Sequence, residues 1–160
     1  MTISTGDSIP GATLFRMGAS GPEPVDTKEY FKGRKVVVFG LPGAYTPTCS
    51  AQHVPGFLNH ADEFRAKGVD AIACISVNDA FVMGAWGKDQ GVGDKIDMLA
   101  DGSADLAKAM GLDLDLSERG FGIRSQRFAM VVEDGVVKAL AVEERPGLDV
   151  SAAEKMLDKV

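Results

Sequence analysis

The chain has 160 residues, 45% of them apolar and 25% charged, which suits one globular domain with a full core rather than a disordered segment. Its formal charge of -6 repels phosphate backbones and anionic lipid, so nucleic-acid and membrane-surface roles are disfavoured. The opening MTISTGDSIPG has no basic segment leading into an apolar run, which predicts no secretory signal and a cytoplasmic setting.

No repeat or linker interrupts the chain, so residues 1–160 read as a single domain. The β-branched run KVVVFGL, Lys35 to Leu41, predicts a strand buried on both faces and ending at Pro42-Gly43. From Pro47 to Lys67 the period changes. Val54, Phe57, Leu58, Ala61 and Phe64 recur at helical spacing, with Gly68 as the stop and Pro55 expected to kink the helix without ending it. VDAIACISV, Val69 to Val77, predicts a second buried strand, and Asn78 or Asp79 caps a helix expected to run to about Lys88.

KIDMLAD then predicts a third strand, and Ser103 to Met110 a helix closed by Gly111. RFAMVVEDGVVKALAV reads as a hairpin turning at Asp134-Gly135, a pair suited to two positive-φ positions. Ser151 and Glu154 stand at capping-box spacing ahead of an amphipathic C-terminal helix. The order predicts an α/β fold with a central mixed sheet flanked by helices. A βαβ unit followed by a ββα unit is the thioredoxin plan, here with an inserted strand and helix between the halves.

The chain's two cysteines, Cys49 and Cys74, form no Cys-x-x-Cys pair and no disulfide framework. Thr46 is placed to cap the helix that follows the first strand, and Pro47 falls at its first position, where a missing N–H costs nothing. Cys49 then lies in the opening turn, where free N–H groups and the helix dipole favour an anionic sulfur. It is either a small core residue or a thiol prepared for chemistry, and local pattern leaves both readings open. Cys74 sits inside an apolar strand without a cationic neighbour in sequence and reads as an inert core thiol.

The segment PGAYTPTCSAQHVPGF resembles the active-site segment of peroxiredoxins, whose Pro-x-x-x-Thr-x-x-Cys is met by Pro42, Thr46 and Cys49. CISVNDAFVMGAW, LADGS, FGIRSQRFAMVVEDG and VKALAVE are similar to the type II, or class-five, branch that relies on glutathione or glutaredoxin. The resemblance implies a thioredoxin-like fold and a thiol peroxidase that reduces hydrogen peroxide and alkyl hydroperoxides without a cofactor. It makes Cys49 the peroxidatic nucleophile, oxidised to a sulfenic acid. Thr46 becomes a hydroxyl contacting thiolate and peroxide, Pro42 a shield against water, and Arg127 a guanidinium facing the sulfur. Backbone N–H groups at Thr48 and Cys49 complete an anion site, and Gly43, Tyr45 and Thr48 are assigned to substrate binding. Tyr45 stands where phenylalanine is commoner.

His53 shares a helix face with Cys49 and is expected to hydrogen-bond rather than act as a base, and Arg124 to support the site. The resemblance implies a homodimer surface at the segments bearing Tyr45 and NDAF. No cysteine follows Cys74, so the expectation is one-Cys cycling with glutathione and glutaredoxin as reductants. Two rivals use the same thiols: two-Cys cycling through Cys74 with thioredoxin, and a redox sensor or thiol relay. A metal site on Cys49, His53 and His60 is disfavoured because Pro55 disturbs the phase of His60.

Overall fold

The computed structural model describes residues 2–160. Its main sheet has seven strands in the order β2-β1-β5-β4-β3-β8-β9. These are β1 (Thr13–Gly18), β2 (Gly21–Asp26), β3 (Lys35–Leu41), β4 (Ala71–Ser76), β5 (Asp97–Ala100), β8 (Phe128–Glu133) and β9 (Val136–Val142). A separate ribbon pairs β6 (Asp113–Leu116) with β7 (Gly122–Ser125) across a 3-10 turn, Ser117–Arg119. The helices are α1 (Thr27–Phe31), α2 (Val54–Asn59), α3 (Ala61–Ala66), α4 (Ala80–Gln90), α5 (Asp105–Met110) and α6 (Ala153–Leu157). Among the described residues no helix is long and apolar enough to cross a membrane.

β3 is central because its sequence is apolar on both faces. It pairs parallel to β4 on one side and antiparallel to β8 on the other. Alternation sends Val37, Phe39 and Leu41 into one core, with Phe57, Phe64, Met83, Trp86 and Met156 from the helices above. Val36 and Val38 enter a second core with Phe31, Leu106 and Met110 from α1 and α5. Helices therefore cover both faces, as the mixed-sheet expectation required.

Several predicted signals take the expected form. Asp79 caps α4 by accepting from the Val82 N–H, and the helix runs a little past the expected Lys88 to Gln90, where Gly91 closes it at φ 69. Asp134 and Gly135 turn the β8–β9 hairpin with φ of 48 and 78. Three signals are read differently by the structure. The run after Pro47 is not one kinked α-helix: Cys49–His53 forms a π-turn, with the Val54 N–H donating to the Cys49 carbonyl. The backbone then passes through Pro55 in α2 and breaks at His60 before α3. The helix expected from Ser103 starts at Asp105, capped by the Asp101 carboxylate through the N–H groups of Leu106 and Ala107.

The capping box at Ser151 does not form. The N-cap of α6 is Ala152, with no side-chain cap, and the Ser151 hydroxyl donates instead to Glu143. The β1–β2 hairpin and the β6–β7 ribbon have no counterpart among the predicted elements. β2 carries Pro22 and Pro24, which read against a strand but are tolerated at the sheet edge it occupies.

Gly40 pairs with Phe128, whose buried ring occupies the space a Cβ on Gly40 would fill. Gly40→Ala is therefore expected to destabilise the fold by about 1–3 kcal/mol through overpacking. Urea denaturation checks this as a lower midpoint at unchanged slope.

Candidate active site

β3 ends at Leu41 and delivers Pro42 to Thr48 across the C-terminal edge of the sheet. This loop is tied to the end of β4, because Asn78 Oδ1 accepts from the Ala44 N–H at 3.0 Å and from the Ser76 hydroxyl at 2.6 Å. Asn78 thus holds the loop while Asp79 caps the helix. Tyr45 sits at φ 63, a left-handed conformation costing on the order of 1–3 kcal/mol for a non-glycine residue. Its hydroxyl donates to Asp89 at 2.7 Å, although the residue is 51% exposed.

Thr46 holds the N-cap position by its backbone, since the Ser50 N–H donates to its carbonyl at 2.9 Å. Its side chain does not cap the helix. The hydroxyl donates back to the Gly43 carbonyl at 2.7 Å and tightens the loop. Pro47 opens the helix as expected, and the N–H groups of Thr48 and Cys49 have no backbone acceptor among the described residues.

Cys49 starts the π-turn and is fully buried. Arg127, one residue before β8, reaches it from the strand adjacent to β3. Its Nη2 donates to the Cys49 Sγ at 3.2 Å, and its Nη1 donates to His53 Nδ1 at 2.9 Å. Because a guanidinium only donates, Nδ1 must accept and the ring proton resides on Nε2. That nitrogen donates to the Ser151 carbonyl at 3.1 Å.

Ser151 is fixed in turn by Glu143, whose Oε2 accepts from the Ser151 N–H at 2.9 Å, the Ser151 hydroxyl at 2.7 Å and the Asp149 N–H at 2.8 Å. Burial raises the Glu143 carboxyl, but these hydrogen bonds outweigh it and leave the group below the usual carboxylate range. The backbone closes the circuit, since the Glu143 N–H donates to the Arg127 carbonyl at 2.9 Å. Glu143 and Ser151 carry no sequence signal for this role; they meet through the hairpin and the turn before α6.

Arg124 braces the loop. Its Nη1 donates to the Pro42 carbonyl at 3.2 Å and its Nε to the Phe121 carbonyl at 2.9 Å. A Cβ on Gly43 would run into this guanidinium, so the glycine permits the contact. Pro42, Thr46, Thr48, Arg124 and Arg127 line a pocket of about 660 Å³ over the helix start. Arg127 both lines the pocket and touches the sulfur, so Cys49 lies one side chain below its surface.

Cys74 occupies the same core layer, opposite Phe39 and Met98 in the sheet. Burial first, and then the neighbouring Cys49, push its thiol well above the ordinary range, with Arg127 opposing weakly. His60 is turned away from Cys49 and His53, its Nδ1 on Glu63 at 2.8 Å and its Nε2 on Glu154 at 3.4 Å.

Burial, and next the Arg127 charge, lower His53 from 6.5 to about 3. Between those values the unfolded chain takes up a proton that the native protein refuses, so stability is lost as pH falls. Each unit below pH 6.5 is expected to cost about 1.4 kcal/mol from this residue. Denaturation midpoints measured from pH 7 to pH 4 should fall more steeply in the wild type than in His53→Gln; parallel curves would remove this account.

A family profile described as Redoxin matches residues 4–157. The chain is 50% identical over 161 residues to chloroplastic peroxiredoxin-2E-2 of Oryza sativa subsp. japonica, covering 98% of this chain and 72% of the relative. It is 46% identical to peroxiredoxin-2C of the same plant, covering 97% and 96% of the two chains. The crystal structure of reduced Prx3 in complex with hydrogen peroxide from Vibrio vulnificus superposes with a TM-score of 0.94 at 48% identity, covering 98% of each chain. Family profile, relatives and fold agree with the site: this chain belongs to the Redoxin family, in its type II peroxiredoxin branch, whose members are thiol peroxidases.

Proposed function

We propose that Cys49 is the peroxidatic residue and that an external thiol restores it. The contact between the Cys49 Sγ and Arg127 Nη2 at the head of a helix carries this reading. In the first step the Cys49 thiolate attacks the terminal oxygen of R–O–O–H. A sulfur lone pair forms the S–O bond, the O–O bond breaks, and RO⁻ leaves and takes a proton to become water or alcohol. Cys49 is oxidised to a sulfenic acid as the peroxide is reduced. Arg127 faces both the anionic sulfur and the charge that develops on the peroxide, so it favours the transition state. The free N–H groups of Thr48 and Cys49 support the same charge, and Pro42 screens it from water. Thr46 turns its hydroxyl from Gly43 to the incoming oxygen. His53, neutral and hydrogen-bonded on both nitrogens, positions Arg127 and moves no proton.

The burial of Cys74 and its raised thiol support one-Cys cycling. Glutathione attacks the sulfenic sulfur, releases water and leaves a mixed disulfide, which glutaredoxin resolves by thiol–disulfide exchange. A bridge between Cys49 and Cys74 would require a strand residue with fixed partners on both sides to leave its register. A cytoplasmic setting and a homodimer complete the proposal, the dimer alone being supported by Tyr45 and Phe81, large side chains that are 51% and 65% exposed.

Peroxide turnover with glutathione and glutaredoxin, beside thioredoxin, tests these assignments. Cys49→Ser is expected to lose activity entirely, Cys74→Ser to keep it, and Arg127→Gln to fall by about 10²–10³-fold. Intact turnover in Cys49→Ser would end the reading. Loss of turnover in Cys74→Ser, with an intramolecular disulfide in the wild type, would move the cycle to two cysteines. Stoichiometric peroxide consumption without turnover on any reductant would make the protein a sensor or relay.

A further inference from the structure

The pocket above Cys49 carries more positive charge than the chemistry at the sulfur uses. Arg127 is engaged by Cys49 and His53, and Arg124 by the carbonyls of Pro42 and Phe121. Two more arginines line the pocket: Arg119 at the end of the 3-10 turn, and Arg145 in the segment after β9. Both are exposed, and neither has a side-chain hydrogen bond or ion pair among the described residues. The pocket's carboxylates do not cancel them. Glu143 is occupied by Ser151 and Asp149, which leaves the exposed Glu144 as its one uncommitted acid. This cationic mouth belongs to a chain whose formal charge is -6.

The rest of the wall is apolar. Leu114 and Leu116 of β6 face the pocket, and Phe121, 51% exposed, stands beside them. At about 660 Å³ the space has the size of an organic-ligand site and far exceeds what hydrogen peroxide needs. A long apolar wall rimmed by two unpaired guanidinium groups fits a ligand with an alkyl body and an anionic end.

We propose that this pocket selects organic hydroperoxides bearing a carboxylate. The alkyl chain lies along Leu114, Leu116 and Phe121, the carboxylate meets Arg119 and Arg145, and the hydroperoxide end reaches Cys49. The assignment rests on Cys49 being the nucleophile, and the covalent step is the one written above, with the hydroxy acid leaving. Neutral peroxides react at the same sulfur without help from the rim.

The test is single oxidation of the reduced, full-length protein in a stopped-flow or quenched-flow instrument, with no reductant present. Trp86, the chain's one tryptophan, reports on the site because its indole N–H donates to Ser50, next to Cys49, at 3.0 Å. The probes are a medium-chain hydroperoxy-alkanoic acid, its methyl ester and hydrogen peroxide. At low ionic strength the acid is expected to react about tenfold faster than the ester, and added salt should shrink the difference. In the double variant R119Q/R145Q the acid-to-ester ratio should approach one; a ratio taken within one preparation cancels any loss of folded protein. Equal rates for acid and ester in the wild type, or a preference that survives the double variant, would overturn the proposal alone. Failure of hydrogen peroxide to oxidise Cys49 would remove the nucleophile and the proposal together.

Discussion

One guanidinium holds the site in register. Arg127 divides its two terminal nitrogens between the Cys49 sulfur and the His53 imidazole. Each partner controls the other's state. Burial together with the Arg127 charge keeps His53 neutral, and a neutral ring with its proton pinned on the Ser151 carbonyl has only a lone pair to offer Arg127. The imidazole therefore aims the guanidinium without discharging it. A carboxylate in the same place would aim it equally well but would neutralise the positive charge that faces the sulfur. Behind the ring, Glu143 grips Ser151 with two hydrogen bonds and Asp149 with a third. An ionised acid thus acts on the site at one remove, through backbone, rather than by pairing with the arginine.

The sheet order makes this possible. β3 and β8 are neighbours, so the residue just before β8 lies beside the loop just after β3. The C-terminal end of β3 sets the helix start, and the adjacent end of β8 supplies Arg127. β9 returns alongside β8 and leads to Glu143, and the following segment brings Ser151 against His53. A hairpin and one crossover thus assemble groups from four separated stretches of chain. The π-turn allows Cys49 and His53 to meet the two arms of one side chain, since a widened turn alters how residues four apart face a neighbour.

The elements that form this frame were legible because their patterns are local and strong. The apolar runs of β3 and β4, the Asp134-Gly135 turn and the Gly111 stop each state their structure within a few residues. The position of Cys49 at a helix start followed from Pro47, and the pairing with Arg127 from resemblance. What escaped has a common physical cause. β2 is an edge strand with two prolines, β6 and β7 are four residues each, and Asn78 and Ser151 act through contacts far away in sequence, with Ala44 and His53, while Glu143 acts only by fixing Ser151. Ser151 shows the difference clearly: its capping-box spacing is genuine, yet its hydroxyl turns to donate to the ionised Glu143 just past β9, and the N-cap of α6 passes to Ala152.

The two cysteines show how little residue type decides. Both are fully buried, in one core layer, and near enough that the charge of Cys49 is felt at Cys74. Cys74 has only apolar strand neighbours, and its thiol is driven far toward the protonated form. Cys49 has a helix start beneath it, Arg127 against it and a pocket within one side chain. Two adjacent thiolates in that layer would repel one another with no water to screen them, so ionising the first opposes ionising the second. An internal disulfide would need a Cys74 thiolate to attack an oxidised, uncharged Cys49, and burial alone already disfavours that thiolate.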